Sequence, residues 1–442
     1  MTDSSSLLPN SVALTSDLHY SLKPSAVRSR SYRASILPTN KSTFSAGDTG
    51  IFYIPAGRRG TYLDQDQSYI RMTIQVNVED AWLDASANCV INRLDVFHGS
   101  NLLESIIGYN LLSTYILDLQ SAPSQRVGLS NLYGFDDAGD RQGKKLLFGS
   151  TKAITVCLPI FSGVVGCLCD KMLPLSKLND DIRLEFTFES NANALYSAGG
   201  TATYTILDAQ LELAIVELSD EGESMVNESL NPNSPIYLHG SSWRRYTSSL
   251  PRSTGSYSTL VPARFASLKQ LVMLPRRSSD QVAASYAISS RVNPFISSYF
   301  WRIGASQIPN KPVVLENSAN TGSYAEGYAE LLKSWHGLHT VDNSCALGLQ
   351  YNIAPSAIAG TQVAQASAVG GNAYKNGFVI AQELESFANR TDVLLSGLNT
   401  LSSQVFFEAT ISTDPATTFT LDFFGWYDHI LVIENGIMSV RF

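Results

Sequence analysis

The sequence predicts an all-β protein built from two consecutive antiparallel β domains. Three observations predict it. First, the chain repeats itself: Leu175-Ser-Lys-Leu-Asn179, then the run Ile182–Phe188, returns as Leu395-Ser-Gly-Leu-Asn399, then Val405–Ile411. Second, apolar and polar residues alternate through several runs, as strands with one wet face require. Third, 20 Tyr, 19 Phe and 30 Gly suit strands and their turns. A repeat of about 200 residues is too long for a solenoid unit and has the size of a whole β domain.

Residues 1–43 are rich in Ser and Pro, lack apolar periodicity, and carry Lys23, Arg28, Arg30, Arg33 and Lys41 against Asp3 and Asp17. This predicts an extended basic arm, serving as a strap over a neighbouring subunit or as contact with an anionic surface such as nucleic acid or lipid headgroups. The first domain is expected over 44–218. It opens at 44–55, alternates cleanly from Ile70 to Val78, and continues with a strand over 89–98 stopped by Gly99. Residues 102–119 switch to helical spacing, with Ile106, Tyr109, Leu112, Tyr115, Ile116 and Leu119 on one side. A long loop over 120–150 follows, then strands over 153–158, 182–188 and 203–218. Residues 219–256 read as a connector. It starts acidic, contains Asn-Pro-Asn-Ser-Pro, and ends with Trp243-Arg-Arg-Tyr246 and a Ser-rich stretch.

The second domain is expected over 257–442. Strands are predicted over 265–275, 287–293 and 299–303, with a turn over 304–309. A helix over 324–335 comes next, then a long loop over 337–376, placed in its repeat as 120–150 is in the first. Strands return over 378–383, 405–411 and 417–424. The last pair, 430–433 and 438–442, is joined by Glu434-Asn-Gly436, a strong hairpin signal.

Composition narrows the function. The net charge of -8 argues against a nucleic-acid binder by bulk electrostatics, and a charged share of 16% leaves a surface poor in charge, as subunit-covered surfaces are. No apolar run reaches the length of a membrane span, and the start has no signal-peptide pattern. The sequons at Asn40, Asn227 and Asn389 then read as chance matches. Cys89, Cys157, Cys167, Cys169 and Cys345 are odd in number and unevenly spaced, so no disulfide framework is expected. Reduced thiols point to assembly in the cytosol or nucleus. Cys167-Leu-Cys169 lacks a second ligand pair for zinc and reads as small buried side chains.

Motifs for catalysis are missing. The sequence holds no phosphate-binding Gly-rich loop ending in Lys-Ser/Thr, no Gly-x-Ser-x-Gly elbow and no His-Glu-x-x-His. His336 and His339 have no accompanying ligands. Asp136, Asp137 and Asp140 lack the spacing of a calcium loop, and Asp180-Asp181 reads as a turn or cap. The Arg pair in Trp243–Tyr246 could stack on bases but reads as packing of the connector. The expectation is a protein that is not an enzyme, with no catalytic residue, no metal and no cofactor.

The order of these parts resembles the double jelly-roll major capsid proteins. That lineage joins tailless membrane-containing phages, adenovirus hexons, virophages, Polinton-type elements and large eukaryotic DNA viruses. The segments that carry the resemblance are Asn92-Arg-Leu-Asp-Val-Phe-His-Gly-Ser-Asn-Leu-Leu-Glu104 and Ser298-Tyr-Phe-Trp-Arg-Ile-Gly-Ala-Ser-Gln-Ile-Pro-Asn-Lys-Pro312. The second, a strand, Ile-Gly, a turn and two prolines, is similar to Polinton-like, adintovirus-like and virophage capsid proteins. The resemblance spans roughly 44–442. It implies two tandem antiparallel eight-stranded jelly rolls, each with a short helix and long loops. It further implies homotrimers that form pseudo-hexagonal capsomers tiling an icosahedral shell, in the virion capsid, assembled in the host cytoplasm or nucleus. Loops 120–150 and 337–376 would form outer towers or clasp neighbours. Partners would be further copies of itself, penton and minor capsid proteins, and an inner membrane or genome reached by the arm at 1–43. Two rival readings remain open: a β-sandwich carbohydrate-binding or carbohydrate-active protein, and a minor capsid or spike protein.

Overall fold

Alternation of core and surface side chains sets the architecture of the computed structural model. It describes residues 25–77, 80–137, 143–149, 153–230, 234–282, 284–315, 325–335, 338, 377–387 and 394–442. The first half holds β1 (Ser29–Ile36), β2 (Phe44–Ser45), β3 (Thr49–Ile54), β4 (Thr61–Val76), β5 (Ala81–Leu83), β6 (Ile91–His98) and β7 (Asn101–Ile107). Helices α1 (Tyr109–Gln120), α2 (Pro123–Gly128) and α3 (Ser130–Tyr133) follow, then β8 (Lys145–Leu146), β9 (Ile154–Pro159) and β10 (Ile182–Phe188). Helix α4 (Asn191–Ala194), β11 (Leu195–Tyr196), β12 (Tyr204–Leu218) and α5 (Asp220–Ser229) complete it.

The second half runs β13 (Ile236–Leu250), β14 (Gly255–Val261), β15 (Leu268–Arg277), β16 (Ile296–Ile303) and β17 (Ser306–Val314). It continues with α6 (Ala325–Lys333), β18 (Ile380–Glu383), β19 (Val405–Ile411), β20 (Phe419–Glu434) and β21 (Ile437–Arg441).

All named pairings are antiparallel, and those strands pair only within their own half. In the first half one sheet has the order β1-β12-β4-β9, with β2 also on β12, and the other has β3-β10-β6-β7. The second half repeats this as β13-β20-β15-β18, with β21 also on β20, and β14-β19-β16-β17. Each half therefore packs two sheets face to face, the arrangement of a jelly roll. A small third sheet, β11-β5-β8, lies beside the first pair. In β10 the period is strict: Ile182, Leu184, Phe186 and Phe188 are buried, and the residues between them are half-buried. Their opposite number β19 buries Val405, Phe407, Ala409 and Ile411 in the same way.

The equivalence starts earlier than the sequence suggested. Ser29↔Leu218 begins the pairing of β1 with the last long strand of its half, and Ile236↔Ile433 does the same for β13. Residues 29–36, expected in an extended arm, thus form the first strand of the first half. Residues 236–250, expected in the connector, form the first strand of the second, and α5 occupies 220–229. Neither strand shows the buried-and-wet alternation of the core strands: β1 alternates half-buried Tyr32, Ala34 and Ile36 with exposed residues and buries none fully, and β13 buries four in a row, Gly240 to Trp243. Residues 1–24 lie outside the described residues.

Other expectations shift as well. The helical spacing from 102 is a strand, β7, to Ile107; Gly108 then turns the chain with φ 71° into α1. A Cβ on Gly108 would sit 2.8 Å from the Arg245 side chain, so glycine is needed for both backbone and space. The loop at 120–150 contains α2, α3 and β8, because Arg126 is buried and anchors it. Residues 287–293 form no strand; they are buried turns held by polar contacts to the first half. The turn expected over 304–309 is short, and β17 already begins at Ser306. The last strand pair is one hairpin of β20 and β21, turned by Asn435 and Gly436 with φ 52° and 77°. The loop expected at 337–376 lies outside the described residues, apart from Leu338.

Candidate assembly interfaces

The largest concentration of unusual side chains lies between the two halves. Helix α1 buries every residue from Tyr109 to Leu119 although it belongs to neither sheet of its half. Its Tyr115 ring meets Trp243 of β13 edge-on, with centroids 6.2 Å apart, and Trp335 at 5.9 Å. Trp243 stacks on Trp426 of β20 at 5.5 Å, and Trp335 also stacks on Trp426, at 6.0 Å. The Tyr115 hydroxyl accepts from Trp335 Nε1 at 2.8 Å and from Gln270 Nε2 at 3.2 Å. Burial pushes the Tyr115 phenol well above its ordinary range. Each aromatic pair adds about 1 kcal/mol beyond its area burial. The result is a dry aromatic seam.

Buried charges flank it. Asp118 of α1 takes Arg126 at 2.9 Å and, from the second half, Arg291; all three are buried. Asp84 accepts the backbone N–H groups of Ile288 at 2.6 Å and Ser289 at 3.1 Å. Asp422 of β20 binds Arg245 Nε at 2.9 Å and Arg276 Nε at 2.7 Å. Glu104 of β7 accepts from Ser162, Ser242 and the Gly163 N–H at 3.0 Å, and burial pushes its carboxyl pKa up against those bonds. Such groups, once paired, fix a single docking geometry more than they add stability.

The C-terminal hairpin closes the other end. Asn179 N donates to Gly436 O at 3.0 Å, and its side-chain amide donates to Asn435 O at 2.8 Å. Met438 N donates to His98 Nδ1 at 3.2 Å. His429 packs on Gly163 O at 3.2 Å, and burial pulls its pKa down to about 4.

The motifs singled out in the sequence fall into these roles. Trp243 and Arg245 are consumed by the seam, Tyr246 is half-buried, and Arg244 alone of the four is exposed. Asp181, expected in a turn or cap, accepts the N–H of Ala56 at 3.0 Å, a contact distant in sequence. Asp137 pairs with Lys144 at 3.2 Å; Asp140, His336, His339 and Cys345 lie outside the described residues. Cys89 and Cys169 are buried and Cys157 is half-buried, whereas Cys167, expected among small buried side chains, is exposed; all four are free thiols. Burial pushes the Cys89 thiol up. Among the described residues no group of three His, Cys, Asp or Glu could hold a metal ion, and no helix is long and apolar enough to cross a membrane. What sequence reasoning missed is the seam itself. The only hint was an Arg pair between aromatics in a stretch read as connector.

No protein-family model and no curated protein matches the sequence. Solved structures do match. The PBCV-1 virus capsid chain aligns with a TM-score of 0.63 at 10% identity, covering 96% of this chain and 99% of that one. The Faustovirus major capsid protein gives 0.60 at 8% identity over 96% and 93%. A chain of the Sputnik virophage structure gives 0.53 at 12% identity over 98% and 93%. At such identities the likeness speaks to the fold, and it runs nearly from end to end of each chain. The chain therefore has the double jelly-roll fold of these viral capsid proteins.

Proposed function

We propose that this chain is a major capsid protein whose homotrimers form pseudo-hexagonal capsomers that tile an icosahedral virus shell. One observation carries the reading. The same pair of sheets occurs twice in a chain whose whole length follows the fold of viral capsid proteins, and a buried aromatic seam welds the two copies. Two fused jelly rolls give each subunit two similar corners, so three subunits present six. Interfaces between such subunits bury several thousand Å2, the size of obligate assemblies.

The role is then structural rather than catalytic. The domains divide as a first jelly roll ending near 218 and a second beginning near 236, joined through α5. The place of action is the virion capsid. Partners are further copies of the chain, with penton and minor capsid proteins at special positions. The segment before β1 would reach toward an inner membrane or the genome. The test is the mass and shape of the purified protein by light scattering and negative-stain imaging. Three chains with a hexagonal outline are expected; a single-chain particle without three-fold views would overturn the proposal.

A further inference from the structure

Helix α5, the last element before the second half, is held to the first half by a contact unlike those of the seam. Lys177 ends a short 3-10 turn, Leu175–Lys177. Its Nζ donates to Glu223 Oε1 at 2.9 Å and to Asn227 Oδ1 at 2.5 Å. Glu223 and Asn227 stand one helical turn apart on α5, so one face of the helix presents both. The Ser219 hydroxyl caps that helix by accepting from Gly222 N at 3.3 Å. Tyr62 of β4 donates to the second carboxylate oxygen of Glu223 at 2.9 Å. Burial, then the Glu223 carboxylate, push the Tyr62 phenol up to about 12, so it stays a donor. Among the described residues no other lysine hydrogen-bonds a side-chain amide.

The three groups have the chemistry of an amide-forming site. Lysine is a nucleophile once it sheds a proton, a carboxylate can take that proton, and a side-chain amide carries an electrophilic carbon. With a carbonyl bond of about 1.23 Å, the contact to Oδ1 keeps Asn227 Cγ within roughly 3.7 Å of Nζ. Reacting atoms in a near-attack arrangement stand about 3–3.5 Å apart. The Glu223 side chain is 4% exposed, so little water competes for the proton it carries. Asn227 is exposed, and with Lys177 it borders a cavity of about 650 Å3 that reaches Ile236 and Gly436. A small leaving group therefore has a way out.

The geometry points to an amide bond between Lys177 Nζ and Asn227 Cγ, formed by the chain itself with Glu223 as proton carrier. Glu223 takes a proton from the Lys177 ammonium and frees its electron pair. That pair bonds to Asn227 Cγ while the carbonyl π electrons move onto Oδ1. Glu223 hands its proton to Nδ2, the Cγ–Nδ2 bond breaks and the carbonyl reforms. The second proton shed by Nζ passes through Glu223 to the departing ammonia, which leaves as ammonium. No oxidant or second reagent enters. The bond closes a loop across 50 residues and ties α5 to the first half, which restricts the unfolded chain. It lies within one chain, so its presence or absence leaves the capsomer reading untouched.

The test is the mass of the full chain under denaturing conditions, followed by peptide mapping. After prolonged warm incubation the chain should be lighter than its sequence by one ammonia, and the map should hold a branched peptide joining Lys177 to Asn227. Lys177→Arg and Glu223→Gln should each keep the ammonia and give separate peptides, with circular dichroism unchanged. The linked chain should also unfold several degrees above the Lys177→Arg chain. Asn435-Gly436 can lose ammonia by closing on its own backbone, but that product gives no branched peptide and survives Lys177→Arg. Wild-type chain without the branched peptide after incubation would overturn the proposal. A branched peptide that forms equally fast in Glu223→Gln would overturn the part given to Glu223.

Discussion

Trp335 Nε1 donates to the Tyr115 hydroxyl at 2.8 Å across 220 residues of sequence, joining the end of one half's helix region to the helix of the other. The same hydroxyl takes Gln270, so one oxygen satisfies two buried donors. Tyr115→Phe keeps the ring and removes that oxygen. Trp335 Nε1 then loses its acceptor and Gln270 Nε2 keeps only Ser334 O at 3.2 Å, at a cost of about 1–3 kcal/mol. Thermal unfolding should move down by several degrees, and tryptophan fluorescence should report a looser seam in the native state. An unchanged midpoint would mean the hydroxyl carries no weight.

Asp118 is the shared counter-ion of buried Arg126 and Arg291. Asp118→Asn leaves two buried cations without their carboxylate, and such losses cost about 3–5 kcal/mol. The expected outcome in denaturant titration is a much lower midpoint, or separate unfolding of the halves. A midpoint equal to wild type would show that the triad is not a structural tie.

His429 has a folded pKa of about 4, below the ordinary value of 6.5. The unfolded chain then binds the proton that the folded one refuses. This histidine's share of stability is full above about pH 6.5, falls as the pH drops, and is gone near 4. The window is worth about 3 kcal/mol, an order-of-magnitude figure. Glu104, whose pKa is raised by burial, works in the opposite sense, losing stability as the pH rises through its folded value. The comparison of wild type with His429→Gln isolates the histidine: the variant should show a flatter stability profile between pH 4 and 6.5. Parallel profiles would rule out the assignment.

Gly436 has φ 77°, and a Cβ there would come within 2.3 Å of the Asn179 side chain. Gly436→Ala should therefore strain the turn and unseat the hairpin from the first half, costing about 1–2 kcal/mol from the backbone alone. Hydrogen exchange should accelerate at Asn179 and Met438 and stay slow in β10. Uniform protection would refute the clasp.

Truncation separates the segment before β1 from β1 itself. Removing residues 1–24 should leave the mass in solution unchanged and impair only shell assembly. Removing residues 1–43 also deletes β1 and its pairing with β12, and should lower the thermal midpoint of the folded chain by several degrees. Equal behaviour of the two truncations would contradict the role given to β1.

Much of the fold was legible because core strands write their burial as alternation. Ile182 to Phe188 and Val405 to Ile411 could be read directly, and their similarity revealed the repeat. The strands that escaped, β1 and β13, lack the clear buried-and-wet alternation of the core strands, for different reasons. Tyr32, Ala34 and Ile36 do alternate with Ser31, Arg33 and Ser35, but the run is short, at most half-buried and set among Ser and Pro, so it reads as an arm. Gly240 to Trp243 is buried between its own half, where Trp243 stacks on Trp426, and the other half, where Ser242 meets Glu104, which no local pattern encodes. Residues 102–107 misled through apolar spacing that fits a helix and a half-buried strand alike; Gly108 was the true boundary. The seam was illegible for the same reason as β13: Tyr115, Trp243, Trp335 and Trp426 meet only through tertiary structure.

Placing Tyr115 and Trp335 on a single polypeptide also has a hereditary consequence. A change in one ring and its compensating change in the other are always translated together, so every copy carries a matched pair. When two variants of the chain are made in one cell, their seams cannot be mixed. In the proposed capsomer only the outer faces meet a stranger, and incompatibility between lineages is then tested at the surface, never in the weld.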